Sequence, residues 1–340
     1  MSEKRRKCGT SEVNKRLLDQ IPGYAFNRRS IEAHSLTWGK VRSLIKKGPQ
    51  IVTLPVVVHV IWNSQEQNIS EEQINSQIKI LNEDYRMRNS DIGSIPSPFR
   101  PLASDCYIEF KLACRDPEGN TTNGITRTRT NKSSFDTDDS VKFSSSSGIN
   151  AWPTEKYLNI WVCNLGGGLL GYAQFPGGPV ETDGVVVTFT AFGNMGTAAP
   201  PFNKGRTTTH EVGHWLNLYH IWGDDTWLSD PCSGSDNVAD TPNQAGENYG
   251  TPSFPHISCN NAPDGDMFVN YMDYTDDESM FMFTKGQVLR MEATLSGPRL
   301  SLTQSDALNC FMEEEPIKKE KPTLIFDGAN KYVPPSSLGI

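Results

Sequence analysis

The stretch HEVGHWLNLYH (residues 210–220) places three of the six histidines of the chain next to one glutamate. Residues four apart lie on one face of a helix, so His210 and His214 would direct their imidazoles at a common point. That spacing suits a zinc ion, which binds histidine nitrogen at about 2.0–2.1 Å. Glu211 leaves the helix on a different bearing, where its carboxylate is placed to act as a general base. The motif therefore predicts one helix that carries two metal ligands and a base.

A third histidine, His220, follows six positions after His214. The helix cannot simply continue if His220 is to reach the same metal, so the chain must turn sharply near Asn217. Asparagine is second only to glycine in tolerating the left-handed backbone that such a turn requires. An ordinary amphipathic helix with satisfied histidines would explain the first two histidines but not the third. We therefore expect one catalytic zinc ion, held by three histidines.

The charge of the chain is divided unevenly along its length. The net charge of −8 combines a net +8 over residues 1–47 with a net −16 over the remainder. An acidic body is unsuited to nucleic acid, whose phosphates require a basic face, and it suits basic partners or hard cations. No run of about 18 apolar residues is present, so we expect no membrane-spanning helix. The basic start also lacks the apolar stretch of a signal peptide.

The apolar pattern predicts a single α/β layer structure. Segments rich in Val, Ile and aromatic residues predict strands at 50–62, 106–114, 125–130, 157–165 and 184–189. Two helices are predicted at 70–87 and 284–296, because each begins with a Ser or Thr followed three residues later by Gln. Residues 1–47 are only weakly periodic and yield no predicted element.

The stretch from 221 to 270 is rich in Gly, Pro, Asn and Asp and shows little periodicity. Long irregular stretches in compact domains are usually functional or cross-linked. Cys232 and Cys259 flank part of it, and a disulfide bond between them would substitute for a missing core. None of the seven cysteines forms a CxxC pair, and in a reducing compartment all seven could stay thiols. From 311 onward the chain is charged and contains prolines, so we expect a loosely ordered tail.

The histidine motif resembles that of the metzincin metallopeptidases, specifically the ulilysin-type pappalysins, with Asn217 where many members have glycine. The segment VNYMDYTDDESMFMF (269–283) resembles the Met-turn of that family, centred on Met272. The resemblance implies an α+β zinc peptidase with a mixed five-stranded sheet, a backing helix, an active-site helix and an irregular C-terminal subdomain with a closing helix. It divides the chain into a basic prosegment (1–47), an N-terminal catalytic subdomain (48–220), a C-terminal catalytic subdomain (221–310) and the tail (311–340).

The resemblance also implies a role for each residue of the site. Glu211 would act as general base and acid beside the zinc that the three histidines hold. Met272 would form an apolar floor beneath the metal. Tyr274 would donate a hydrogen bond to the tetrahedral oxyanion, although an ordinary core or surface tyrosine is the alternative. The stretch GYAQFP (171–176) would be the edge strand that pairs with an extended substrate.

Enzymes of this type place an acidic residue in the pocket just after the scissile bond. Asp277 is the candidate, which implies cleavage on the amino side of Arg or Lys; solvated loop acids are the alternative. One or two structural calcium ions are implied near residues 235–248, where oxygen ligands are dense. The candidate calcium ligands are Asp236, Asp240, Thr241 and Glu247. An acidic loop without metal is the alternative there.

Cys8, within RRKCGT, resembles the prosegment cysteine that occupies a zinc position in latent metzincins. Its basic neighbours are expected to lower its pKa, and the basic prosegment would be attracted to the acidic body. A free thiol on a mobile tail is the alternative. Cleavage before Arg42, Lys46 or Lys47 by the enzyme itself would make activation autocatalytic.

Two other functions are compatible with part of the sequence. A zinc peptidase of another class would take its third ligand from a glutamate on a later helix, which leaves His220 unexplained. A zinc-stabilised binding protein without activity would be expected to close its site with a fourth protein ligand, but the body of the chain offers none and Glu211 is intact. We therefore expect a secreted, monomeric metalloendopeptidase that acts on proteins and peptides and binds neither nucleic acid nor membranes.

Overall fold

Six strands and five α-helices form the regular structure of the part that the computed structural model describes, residues 5–45, 48–224 and 230–310. The strands are β1 (Val52–Trp62), β2 (Ile108–Leu112), β3 (Ile125–Arg129), β4 (Leu158–Cys163), β5 (Gly171–Ala173) and β6 (Val185–Thr188). The helices are α1 (Thr10–Gln20), α2 (Tyr24–Leu44), α3 (Glu71–Tyr85), α4 (Arg206–Trp215) and α5 (Lys285–Ser296). Every strand and helix predicted from the sequence is present, with ends that differ by a few residues.

One mixed sheet contains all six strands, in the order β2–β1–β4–β6–β5, with β3 also paired to β1. β2 pairs with the first half of β1 and β3 with its second half, so the sheet is five strands wide, as the resemblance implies. The pairs are parallel except at the edge, where β5 runs antiparallel to β6. β1 is buried from Leu54 to Ile61, which explains its continuous apolar run in place of an alternating one.

The N-terminal segment folds into α1 and α2, which its weak periodicity did not predict. Val13, Leu17 and Tyr24 are buried in an apolar cluster with Trp161 and Tyr172 on one face of the sheet. α2 packs against α5. α1 is amphipathic but only 11 residues long, with Val13 and Leu17 on its buried face, and α2 buries only Tyr24, Arg28 and Ile31 along its 21 residues. No long periodic run therefore marks this segment, and the helices depend on packing against the rest of the chain.

The larger apolar cluster lies on the other face of the sheet, where α3, α4 and α5 cover it. Val58 of β1, Leu81 of α3, Val212 of α4 and Met291 of α5 all belong to this cluster. α4 contacts α3, β5 and β6. The helix that carries the histidine motif is therefore held next to the edge strand.

After α4 the chain is irregular until α5, which begins with the predicted capping box. Cys232 and Cys259 form a disulfide bond, with their Cα atoms 5.3 Å apart. Cys8, Cys106 and Cys163 are free thiols. The predicted tail, 311–340, lies outside the described residues. None of the described helices is both long enough and apolar enough to cross a membrane.

Candidate metal centre and active-site cleft

The helix α4 ends in the turn that the histidine spacing requires. Asn217 has a φ of +75°, and the amide of Leu218 donates to the carbonyl oxygen of Gly213 at 2.9 Å. A left-handed residue of this kind ends a helix while satisfying its last carbonyls. The backbone then brings His220 back toward the first two histidines.

Hydrogen bonds to the Nδ1 atoms orient the three imidazoles. The partners are the carbonyl oxygens of Tyr271 for His210 and of Leu218 for His214, each at 2.7 Å, and the Asp224 carboxylate for His220, at 2.5 Å. A carbonyl oxygen only accepts, so Nδ1 of the first two rings carries the proton and Nε2 presents a lone pair.

The Nε2 atoms of the three rings converge on one point. That of His214 lies 3.1 Å from those of both His210 and His220. Burial lowers the pKa of His214 to about 3 and that of His210 well below its usual range, so both rings are neutral. Neutral imidazoles whose lone pairs face one another are the donors that zinc takes in proteins.

Cys8 Sγ completes a group of four donor atoms that all lie within 4.8 Å of one another. Across residues 5–45, 48–224 and 230–310, no other group of three or more His, Cys, Asp or Glu side chains converges in this way. The four donors match zinc in number and in kind.

Glu211, which follows the first histidine on α4, is almost fully buried. Its Oε2 atom accepts from the Thr10 hydroxyl at 3.0 Å and from the Cys8 thiol at 3.3 Å. Burial raises the pKa of Glu211 to about 7, so this carboxyl can both take and return a proton near neutral pH. A Cβ at position 171 would come within 2.9 Å of the Glu211 side chain, so Gly171 is required there.

The segment around Cys8 runs along the edge strand β5. The amide of Gly9 donates to the carbonyl oxygen of the first residue of β5, and the amide of Leu170 donates to that of Lys7, both at 2.9 Å. This pairing is parallel. Burial, together with the nearby Glu211 carboxylate, raises the pKa of the Cys8 thiol. When only the protein groups around Cys8 are considered, the expectation that its basic neighbours lower this pKa is therefore wrong.

Asp277 is buried, whereas Glu278 beside it is exposed. Arg6 places its guanidinium 2.6 Å from the Asp277 carboxylate, and both side chains are 1% exposed. The same guanidinium donates to the Thr207 hydroxyl at 3.0 Å and to the carbonyl oxygen of Thr275 at 3.2 Å. Sequence reasoning selected Asp277 but missed Arg6, because no local pattern connects residues 271 positions apart.

Met272 and Tyr274 border the converging histidines. A Cβ at Gly213 would come within 2.5 Å of Met272 Sδ, so this glycine of α4 admits the buried sulfur. The ring of Tyr274 lies 5.0 Å from that of His220 between centroids. Its hydroxyl donates to the carbonyl oxygen of Cys8 at 3.4 Å. Both side chains are thus positioned by contacts that only the folded chain creates.

The side chain of Asn217 connects the metal-site turn to α2. Its Oδ1 atom accepts from Arg28 at 2.7 Å, and its Nδ2 atom lies 3.3 Å from both Glu32 and Ser35. Arg290 of α5 binds the same Glu32 carboxylate at 2.9 Å. The residue at the glycine position of the motif therefore also holds the N-terminal segment.

Only two of the four candidate calcium ligands contact each other. Asp236 accepts from the Thr241 hydroxyl at 2.9 Å, so these two residues lie together. Asp240 instead accepts from the hydroxyl of Thr284 at the start of α5, at 2.7 Å. Glu247 is exposed and accepts from a tyrosine hydroxyl two residues away, at 3.0 Å. The contacts therefore bring together only the first pair.

A metal site with three histidines and a buried base beside it is built for hydrolysis. Among zinc hydrolases, the long turn through Asn217 and the methionine packed under α4 are typical of the metzincin peptidases. The chain belongs to the peptidase M43 family, the pappalysins. The sequence profile of that family, described as Pregnancy-associated plasma protein-A, matches residues 142–296.

Relatives with known names agree with this classification. An extracellular metalloprotease of Pyricularia oryzae is 30% identical over 303 residues, which cover 84% of this chain and 87% of the relative. Promirolysin of Tannerella forsythia, solved as a point mutant, is 50% identical with a TM-score of 0.79, covering 89% of this chain and 98% of that one. Mature mirolysin with a cleaved peptide is 54% identical with a TM-score of 0.74, covering 77% and 99%. The chain is thus a zinc-dependent metalloendopeptidase, not a binding protein that lacks activity.

Proposed function

We propose that the chain is a secreted, latent endopeptidase that cleaves polypeptides on the amino side of Arg or Lys. The observation that carries this proposal is the Arg6 side chain in the Asp277 pocket, two residues from the Cys8 thiol at the metal centre. Relatives named extracellular metalloproteases support secretion. A monomeric state is part of the proposal.

The pocket around Asp277 suits a guanidinium. The Asp277 carboxylate accepts a hydrogen bond from the Arg6 guanidinium, while the Thr207 hydroxyl and the Thr275 carbonyl oxygen accept from its other N–H groups. The ring of Phe202 lies 5.0 Å from the guanidinium carbon, a cation–π distance. A basic side chain of a substrate would find the same partners once Arg6 leaves. The residue that binds there lies next to the metal, as a residue beside the scissile bond must.

Each residue of the site has a chemical task in hydrolysis. Zinc, when held by the three histidines, supplies Lewis-acid polarisation of the scissile carbonyl and lowers the pKa of water. Glu211 takes the proton of the attacking water and returns it to the leaving amine. Tyr274 donates its hydroxyl proton in a hydrogen bond to the developing oxyanion. The backbone of Leu170 and Gly171, which now binds the N-terminal segment, would bind the substrate backbone.

Latency follows from the same contacts. Cys8 takes the fourth donor position, and the segment around it pairs with the edge strand β5, whose free edge a substrate needs. We therefore regard residues 1–47 as a prosegment, which the similarity to both a pro form and a mature form of mirolysin supports. Removal by the enzyme itself before Arg42, Lys46 or Lys47 remains part of the proposal. The last two lie outside the described residues.

The test is digestion of a denatured protein mixture by the purified chain and by its Cys8→Ala variant, with new termini read by mass spectrometry. We expect cuts before Arg and Lys that o-phenanthroline abolishes. The variant should start at least about tenfold faster, because its metal position is not occupied by a thiolate. Cuts without preference for basic residues would contradict the specificity, and equal initial rates would contradict the role of Cys8.

Calcium binding near Asp236 is also proposed. Burial raises the pKa of Asp236 to about 7, and its hydrogen-bond donors, the Thr241 hydroxyl and the Val238 amide, are neutral. A divalent cation would favour the ionised form of this carboxyl. Protein reloaded with zinc and calcium should melt about 5 °C above protein reloaded with zinc alone. Asp236→Asn should remove that difference; a calcium effect unchanged in the variant would place the ion elsewhere.

A further inference from the structure

The helix α1 fills a groove next to the metal centre. Arg6 precedes Cys8 in the chain and enters the Asp277 pocket. α1 follows Cys8 and extends away from that pocket, on the other side of the thiol. Val13 and Leu17, one turn apart on α1, are buried. The apolar cluster that receives them contains Phe135, Leu165, Leu169 and Tyr172. Removal of the prosegment would therefore uncover an apolar groove beside the cleft.

An acidic side chain lies at the far end of this groove. Arg16 of α1 donates to the Asp139 carboxylate at 2.5 Å and to the carbonyl oxygen of Thr137 at 3.0 Å. Asp139 is 3% exposed at its side chain, and its other oxygen lies 2.8 Å from Lys142. Lys142 belongs to the body of the enzyme and stays in place, donating also to the carbonyl oxygen of Thr182. Only the oxygen that now binds Arg16 loses its partner when the prosegment leaves.

The groove lies within reach of a bound substrate. A helix rises about 1.5 Å per residue, so Arg16 lies roughly 9 Å along α1 from Thr10. An extended chain covers that distance in about three residues. The Asp277 pocket is assigned to the residue after the scissile bond, so the groove on the other side of Cys8 faces the residues before it.

We propose that this groove, formed by Phe135, Asp139, Leu165, Leu169 and Tyr172, binds the part of a substrate that precedes the scissile bond and selects a basic side chain there through Asp139. In the latent chain Arg16 occupies this subsite, as Arg6 occupies the Asp277 pocket. The preferred substrates therefore carry two basic residues, one after the cut and one a few positions before it. This subsite depends on the cleavage before Arg or Lys proposed above.

The test uses the processed enzyme and peptides with one common scissile bond before an arginine. A single further arginine is moved from the second to the sixth position before that bond, and a reference peptide has glutamine throughout. Because the added arginine offers a second cleavage site, kcat/KM is measured from the products of the common bond alone. At one position we expect kcat/KM to rise about tenfold over the reference, the effect of one charge-assisted hydrogen bond. Equal kcat/KM values for all peptides with the unaltered enzyme would overturn the subsite.

Two variants locate the effect. Asp139 has a φ of +62°, which asparagine tolerates, so Asp139→Asn should abolish the preference while the reference peptide is still cut. Asp138→Asn, an exposed neighbour, is the matched control and should keep the preference. A preference that survives Asp139→Asn would overturn the assignment. Should the unaltered enzyme cut none of the peptides before arginine, the proposed cleavage specificity would be contradicted and the subsite with it.

Discussion

Replacing Glu211 with glutamine is expected to lower kcat/KM for peptide hydrolysis by about 10³-fold, because glutamine cannot take a proton from water. The exchange keeps the size of the side chain, and in the full chain the Thr10 hydroxyl can still donate to its amide oxygen, so the latent form should fold normally. The three histidines are unchanged, so the variant should bind zinc in the same ratio. Residues 1–47 are first removed from both proteins by an added protease, because an inactive variant could not process itself. Steady-state kinetics on a peptide with one scissile bond before arginine, together with zinc content by elemental mass spectrometry, then checks both statements.

Glu66→Gln is the matched control, since Glu66 is an exposed glutamate on the surface of the described chain. It should leave kcat/KM unchanged. An active Glu211→Gln variant with a full complement of zinc would contradict the role of the carboxylate as general base. Loss of zinc along with activity would instead show that the exchange disturbs the metal centre, and the chemical role would then have to be tested with Glu211→Asp.

The second large effect is expected at the specificity pocket. Asp277→Asn should lower kcat/KM for substrates with arginine after the scissile bond by about 10²-fold, since it removes one charge of a buried ion pair. Asparagine can still accept the hydrogen bond that the Lys204 amide now donates to Asp277 at 2.7 Å, so the loop should keep its shape. Profiling of new termini with the activated variant checks whether cuts before basic residues become rare.

Glu278→Gln is the control for that exchange, because it removes an exposed acid of the same loop. It should leave the preference for arginine and lysine intact. If Asp277→Asn retained that preference while Glu278→Gln lost it, the pocket would be formed by a different acid from the one that binds Arg6. A general loss of activity on all peptides would point to a damaged fold, which a melting curve would reveal.

The metal centre could be predicted from the sequence because its geometry is local. Two histidines one helical turn apart and a residue that tolerates a positive φ specify where the imidazoles point, with little help from distant parts of the chain. The strand and helix positions were predicted for a similar reason, since long apolar runs and capping boxes are local signals. Asp277 could be selected only through the resemblance to a family.

The contacts of the N-terminal segment could not be predicted in this way. Its uneven charge indicated attraction to the acidic body, but charge alone does not select Asp277 for Arg6 or Asp139 for Arg16. Both pairs join residues more than 120 positions apart. The helices α1 and α2 were missed because their buried residues are few and are buried by partners elsewhere in the chain.

Asn217, at the glycine position of the histidine motif, forms the turn after α4 and also contacts α2. The proposed removal of residues 1–47 would take α2 away and leave the turn. Glycine would serve the turn equally well, since the backbone there needs only a positive φ. What glycine lacks is the amide that Arg28, Glu32 and Ser35 contact from α2. Under the proposal that residues 1–47 are removed, the side chain of Asn217 would stabilise only the latent form, while its backbone would shape the turn in both forms.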